Sequence, residues 1–218
     1  MVGRKGLKCL LLGVLIFSSG CAPLAEKALS LGSSEDLSRC FTIFPSAPWE
    51  AVHKIEATIQ GGVFSTLLGV TRGEPSARGL HSFLLTPEGF ILFEGELRGG
   101  EIIVRKSAAP FDSPAFARGL MDDVAFLFFP PAGALKEWGK EGDGTQVCRW
   151  EGFDGLSTEV RGAMVRSWRI LRRDGRGEVI KEIRLKGPFL RGLAAQMEVQ
   201  VYKPASYKLE MTLLPPAP

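Results

Sequence analysis

Few residues in this chain combine the types and spacing that catalysis requires. The 218 residues include two histidines, His53 and His81, and four cysteines. A metal site usually needs three or four ligands, and no His, Cys, Asp or Glu residues cluster at suitable spacing. His53 starts a strand-like segment, and His81 shares a strand face with Phe83. We interpret His81 as a half-buried strand residue; a role as the base for a nearby serine is the weaker alternative.

Other signals of catalysis are also weak. Asp122 and Asp123 are adjacent, and adjacent helix residues do not face each other, so we expect them on a solvated helix face. The sequence has no G-x-S-x-G elbow, phosphate loop or dinucleotide fingerprint. We therefore predict a protein that is not an enzyme and that uses no cofactor and no metal.

The first residues have the features of an export signal. Arg4, Lys5 and Lys8 precede an apolar run, and small residues then lead to Cys21. The run is too short for a membrane-spanning helix, which needs about 20 apolar residues. The segment 17–21, Phe-Ser-Ser-Gly-Cys, resembles the bacterial lipobox, although Ser18 stands where leucine is usual. It predicts removal of residues 1–20 and acylation of Cys21; a plain secreted protein with a free cysteine is the alternative.

Removal of the signal changes both the charge and the cysteine count. Residues 1–20 hold three of the 27 bases and no acid, so 24 bases remain against 24 acids. This balance gives no electrostatic case for nucleic-acid binding. Cys40 and Cys148 are the two cysteines left besides Cys21. A disulfide can persist between them in an oxidising compartment, and two separate thiols are the open alternative.

Most of the chain alternates apolar and polar residues with a period of two, which indicates strands with one buried face. Turn-forming residues separate the runs. The predicted strands are 53–60, 63–72, 79–86, 90–97, 101–106, 146–151, 157–163, 164–173, 178–186, 193–202 and 206–213.

One segment has a helical period instead. After Asp112-Ser113-Pro114, a plausible helix start, Phe116, Leu120, Val124 and Phe128 recur every fourth residue, and Pro130-Pro131 ends the helix. A second short helix is predicted around 134–140. Residues 22–40 are small and polar, with Leu24, Ala28 and Leu31 at loose helical spacing. We therefore interpret 21–40 as a lipidated N-terminus and a tether with one short helix, and 41–214 as one domain.

These elements predict an α+β fold dominated by β structure, with about ten or eleven antiparallel strands in one sheet. One helix cannot cover so many strands lying flat. We therefore expect the sheet to curl into an unclosed barrel with a helical lid on its concave side. The helix residues Phe116, Leu120, Val124 and Phe128 would face the sheet beside Met197, Val199 and Leu209. Together they would line a cavity for acyl chains; a plain packed core is the alternative.

One segment in the second half of the chain, residues 161–191, is strongly basic. Residues 161–191 contain ten bases and three acids. They form either a face for anionic headgroups or an acidic partner, or the solvated outer face of a hairpin, which we favour.

The order of these elements resembles the lipoprotein-localisation carrier and receptor group (LolA/LolB-like), and more closely its uncharacterised outer-membrane lipoprotein relatives. The resemblance covers roughly residues 41–214: a five-strand meander, a Pro-started helix ending in Phe-Pro-Pro, and strands closing on Tyr207-Lys208-Leu209. It carries no diagnostic short motif.

The resemblance implies an acyl-chain carrier that acts on a lipid or lipoprotein without covalent chemistry. Ala22 after Cys21 resembles the signal for the outer membrane, so the anchored protein would face the periplasm. In the receptors an exposed apolar loop residue engages the membrane, and Phe90 is the candidate here. A scaffold or assembly lipoprotein without ligand, and an accessory protein that presents a substrate to enzymes of an envelope lipid pathway, are the alternatives.

Overall fold

The computed structural model of the protein describes residues 29–59, 62–163, 167–203 and 206–215. The predicted signal and Cys21 lie outside these residues. Two helices, α1 and α2, are Ser34–Arg39 and Pro114–Phe128. Strands β1 to β13 are Ser30–Leu31, Trp49–Ile59, Gly62–Glu74, Gly79–Leu85, Ile91–Arg98, Glu101–Ser107, Ala134–Lys140, Gln146–Glu151, Ser157–Ala163, Ser167–Arg173, Val179–Leu190, Leu193–Val201 and Tyr207–Leu213.

All the described strands belong to one antiparallel sheet in the order β1-β7-β8-β9-β10-β11-β12-β13-β2-β3-β4-β5-β6. The chain is two meanders joined at a central seam, where the last strand, β13, pairs with β2. Strands β1 and β6 are the two edges, so the sheet does not close on itself. This architecture confirms the predicted α+β fold with a single unclosed sheet.

The period of two in the sequence defines the inner face. On β2, Ala51, Ile55 and Ala57 are buried, while Lys54 and Glu56 between them are exposed. The register carries the same face onto β3, where Ile55 lies opposite Leu67. The apolar face of the strands therefore becomes a continuous concave core.

Glycines on this face allow large side chains to lie flat on the sheet. A Cβ on Gly73 would meet the indole of Trp49 at 2.3 Å, and a Cβ on Gly95 would meet the sulfur of Met121 at 2.7 Å. Because these distances are far below van der Waals contact, only glycine fits beneath the two side chains. The second contact lets α2 approach the sheet closely.

Helix α2 covers one part of the concave face. It starts at Pro114, whose missing N–H is tolerated in a first helical turn, and it packs against β4, β5 and β6. Its side chains Met121, Leu127 and Phe128 are almost completely buried. The helix is the predicted lid, and it closes against the sheet half that contains β2 to β6.

The segment 134–140 is strand β7, so the predicted second helix is wrong. Leu135 lies opposite Trp150 and Trp138 opposite Cys148 in an antiparallel pairing with β8. Residues such as Ala134, Leu135 and Lys136 favour helices, but pairing with a neighbouring strand overrides intrinsic propensity. This strand and the two-residue β1 bring the sheet to 13 strands, rather than ten or eleven.

The stretch predicted as a tether contains β1 and α1. Ser33 caps α1 through a capping box with Asp36, and Lys140 binds the Asp36 carboxylate at 3.1 Å. At the end of the helix a disulfide joins Cys40 to Cys148 on β8, with 5.9 Å between the Cα atoms. The chain is thus attached covalently to the sheet before the first long strand begins.

Candidate binding cavity beneath the long helix

A small cavity lies between α2 and the inner face of the sheet. It has a volume of about 40 Å³, which is close to the share of liquid volume of one water molecule. Its wall is mostly apolar, with four polar side chains. The lining residues are His53, Ile55, Gly69, Thr71, Ser82, Phe83, Leu84, Phe93, Leu120, Asp123, Val124, Leu127, Phe128, Val199, Leu209 and Met211.

The structure brings together most of the residues that the sequence suggested for this wall. Leu120, Val124 and Phe128 line the cavity from the helix, and Val199 and Leu209 line it from β12 and β13. Met197 is buried in the same core, 4% exposed, outside the lining of the cavity.

Phe116 lies elsewhere. It is 41% exposed and packs on Phe111, with 5.6 Å between ring centroids. A four-residue repeat advances about 40° per step around a helix of 3.6 residues per turn. Over the three steps to Phe128 this drift takes Phe116 off the buried face, and Leu127 occupies that face instead.

His53 is the most unusual residue of the wall, and sequence analysis missed it. It is 1% exposed, its ring lies 5.8 Å from that of Phe128, and no described group hydrogen-bonds its Nε2. Burial lowers the pKa of His53 to about 4, so the imidazole is neutral at pH 7. A buried polar atom without a partner costs about 1–3 kcal/mol, which is why such atoms often mark binding sites.

Two hydroxyls continue the polar line across the sheet. Thr71 on β3 and Ser82 on β4 lie directly opposite each other and share a buried hydrogen bond of 3.1 Å. His53 is on β2, so three adjacent strands each contribute one polar side chain to the cavity. The wall is therefore polar along one side and apolar elsewhere.

Asp123 was expected on a solvated face, and that prediction is wrong. It is 5% exposed and forms an ion pair with Lys181 of β11, which is 9% exposed. Burial raises the pKa of Asp123, helped by repulsion from Asp122, and burial lowers the pKa of Lys181. The Lys181 ammonium also lies 5.5 Å from the ring centre of Phe126. One charged contact thus ties the lid helix to a strand in the other meander.

The basic segment forms ion pairs on the outer face of the sheet. Arg169 and Arg184 both bind the carboxylate of Glu182, at 2.6 and 2.9 Å, and Arg161 binds Glu141 and Glu159, each at 3.2 Å. Opposite charges on neighbouring strands stabilise the sheet in this arrangement. These contacts match the outer-face interpretation of the segment.

A larger groove of about 630 Å³ opens at the end of β2 to β5. Its lining includes the charged residues Glu50, Arg72, Glu74, Glu96 and Arg98. Four of these already pair, because Arg72 binds Glu50 at 2.7 Å and Arg98 binds Glu96 at 3.3 Å. Because the groove is open and charged, the enclosed space under α2 is the better candidate for an apolar ligand despite its smaller volume.

Two aromatic side chains project from one end of the sheet. Phe90, in the β4–β5 turn, is 70% exposed, and Phe153, in the β8–β9 turn, is 96% exposed. Strands β4 and β8 run in the same direction in the antiparallel order, so these turns lie at the same end. Phe90 is the loop residue expected from the sequence to engage the membrane, whereas Phe153 was not predicted.

The described residues contain neither a candidate membrane-spanning helix nor a candidate metal site. None of the helices there is both long and apolar enough to cross a membrane. In the same part of the chain, no three His, Cys, Asp or Glu residues lie close enough together to hold a metal ion.

Comparisons with known proteins identify a fold and leave the family open. No family model matches the chain, and no curated protein matches it. Among solved structures, the chain is similar to the LolA superfamily protein NE2245 from Nitrosomonas europaea, with a TM-score of 0.55 and 9% identity over 85% of this chain and 93% of that one. At this identity the likeness shows a LolA-like fold.

Proposed function

We propose that this protein is a non-catalytic lipoprotein that binds acyl chains of a lipid or lipoprotein beneath α2, in transport or insertion within the cell envelope. It would be anchored in the outer membrane through acyl chains on Cys21 and face the periplasm.

The observation that carries the proposal is the mostly apolar wall of the cavity under the lid helix. Leu120, Val124 and Phe128 face a concave apolar sheet that does not close on itself. An open sheet edge beside a helix allows the helix to move outward without breaking strand pairing. The likeness to a LolA superfamily structure supports this interpretation at the level of the fold.

One observation favours the second candidate, a scaffold that holds no ligand. The cavity is only about 40 Å³, so the helix is closely packed against the sheet. An acyl chain would enter only after α2 moves away, and a scaffold would need no such movement.

Native mass spectrometry of a soluble form distinguishes the two candidates. The protein would be made with residues 1–20 replaced by a conventional cleavable signal peptide and with Cys21→Ser, exported to a bacterial periplasm and purified without detergent. A carrier would retain one or more acyl lipids and bind 11-(dansylamino)undecanoic acid with a rise in fluorescence. A lipid-free protein that gives no fluorescence change would exclude the carrier function and favour the scaffold.

The anchor needs its own experiment on the full chain. Cys21→Ser should abolish acylation and leave the protein either uncleaved or soluble in the periplasm. Metabolic labelling with a fatty acid and membrane fractionation would show this. A Cys21→Ser protein that still carried acyl chains in the membrane fraction would contradict the proposed anchor.

The exposed end of the sheet would provide a second membrane contact. Phe90 and Phe153 extend from the same end, and exposed aromatic side chains partition into the bilayer interface. Replacing both with serine should reduce flotation of the soluble form with phosphatidylglycerol vesicles. Exposed Phe41, outside these turns, gives the control Phe41→Ser, and an equal loss with this variant would contradict a specific role for the two turns.

A further inference from the structure

We propose that the cavity beneath α2 binds an oxygen atom of the ligand, and that His53 forms the hydrogen bond to it. The ligand would be an acyl chain bearing an uncharged oxygen group, a hydroxyl or an ester carbonyl, which enters the space under the helix. This inference rests on the proposed acyl-chain binding and specifies the ligand class for the same site.

Three polar side chains converge on one side of the cavity. His53, Thr71 and Ser82 are 1%, 5% and 7% exposed and lie on the inner face of three adjacent strands. All three line the same cavity, surrounded by apolar side chains. An apolar wall with a few convergent polar groups is typical of sites that orient a ligand by one of its polar atoms.

Most of these polar side chains already have a hydrogen-bond partner, and one does not. Thr71 and Ser82 bond to each other at 3.1 Å, and the Asp123 carboxylate is bound by Lys181. The Nε2 of His53 differs from them, because no group in the described parts of the chain bonds to it. The site thus offers an unused nitrogen to any oxygen that enters the cavity.

The charge and the volume of the site limit which ligand group fits. Because burial lowers the pKa of His53 to about 4, the imidazole is uncharged at pH 7 and offers no attraction to a carboxylate or phosphate. Lys181, a buried cation of the same core, is already bound by Asp123. The volume of about 40 Å³ accommodates a hydroxyl or a carbonyl oxygen, and the rest of the chain would occupy space vacated by the helix.

Two histidines in the whole chain make a direct test possible. The soluble Cys21→Ser form would be labelled with ¹⁵N-histidine and titrated with 1-dodecanol and with methyl dodecanoate. Binding would be followed by displacement of 11-(dansylamino)undecanoic acid and by the imidazole ¹⁵N resonances. His81, which binds Glu94 at 3.1 Å on the outer face, provides the matched control.

We expect 1-dodecanol to shift the His53 resonances and leave those of His81 unchanged. His53→Phe keeps an aromatic ring against Phe128 and removes the nitrogen, so it should weaken 1-dodecanol binding about three- to tenfold, the contribution of one net hydrogen bond. His81→Phe should bind as the parent does. If His53→Phe does not fold, His53→Leu, which also removes the nitrogen, and the resonance shift in the parent protein provide the same test.

Two other results would separate the inference from the proposed function. If the parent binds 1-dodecanol without any shift at His53, or if His53→Phe binds it equally well, the acyl-chain site stands and the role of His53 is wrong. A bound water on Nε2 would give this result. If the parent binds neither compound nor the fluorescent probe, the acyl-chain function itself is wrong.

Discussion

The two halves of the sheet are covered in different ways. In the half around β7 to β10, the inner face is filled by side chains of the sheet itself, such as Trp150 and Trp168, and by a segment attached through the Cys40–Cys148 disulfide. In the half around β2 to β5, the cover is α2, which is tied to the second meander by the buried pair of Asp123 and Lys181. The segment over β7 to β10 is held by a covalent bond, whereas α2 is held by side-chain contacts. The cavity lies under α2.

The largest expected effect comes from breaking the buried ion pair. Lys181→Met leaves the Asp123 carboxylate buried without its partner, which should lower the free energy of unfolding by about 3–5 kcal/mol. Urea denaturation of the parent and of Lys181→Met at neutral pH measures the difference. The double variant with Asp123→Leu should recover most of the loss. Equal stability of Lys181→Met and the parent would mean that this contact does not hold the helix.

The covalent cover should respond to a different change. Replacing Cys40 and Cys148 with serine frees a long loop in the unfolded chain and should cost about 2–5 kcal/mol, measured by thermal denaturation. The soluble form should also migrate faster on electrophoresis without reductant than with it. Alkylation of both thiols without prior reduction would contradict the bridge.

His53 should make the helix-covered half sensitive to acid. Because its pKa is lowered from 6.5 to about 4 in the folded protein, the unfolded state binds more protons between these values. Stability should therefore fall as the pH drops from 6.5 towards 4, by roughly 3 kcal/mol in total. The raised pKa of Asp123, on the same cavity, opposes this trend.

A comparison of variants isolates the contribution of His53. Urea denaturation at pH 7 and pH 4.5 gives the change in the free energy of unfolding for the parent and for His53→Phe. Asp123 is present in both proteins, so its contribution to the pH dependence is common to them. The parent should lose more stability on acidification than His53→Phe. Identical pH dependence in the two proteins would show that His53 binds protons equally in the folded and unfolded states.

The smallest of these effects is expected from filling the cavity. Val124→Trp inserts a ring into a space of about 40 Å³, so it should cost roughly 1–3 kcal/mol and weaken binding of 11-(dansylamino)undecanoic acid. Thermal denaturation and probe titration on the same soluble form measure both. Full stability with normal probe binding would place the acyl chain elsewhere.

The sequence was sufficient to predict the strands and the lid because both depend on local patterns. Alternating residues such as Ile55 and Ala57 indicated one buried face, and the proline at 114 indicated a helix start. His53 lies two residues before Ile55 on the same strand face, so the alternation was a signal of its burial, but its place in the cavity was not predicted. The helix predicted at 134–140 failed because its state depends on pairing with β8.

The partners of the buried charges could not be predicted from local patterns. Asp123 and Lys181 are on elements that only the complete fold brings together. A solvated face and a buried ion pair have the same local sequence when the partner is on a distant strand. The disulfide was left open for the same reason, since spacing alone does not show whether two cysteines approach each other.

The seam between β13 and β2 has a consequence for how the chain folds. Each meander consists of neighbouring hairpins that form early, whereas the seam joins strands from nearly opposite ends of the described chain. Contacts at such long sequence separation form slowly because loop closure must come first. Until β13 arrives, β2 exposes an unpaired edge beside its apolar face, and such an edge is prone to aggregation. Pairing of β13 with β2 is therefore the step that removes this exposed edge from the newly made protein.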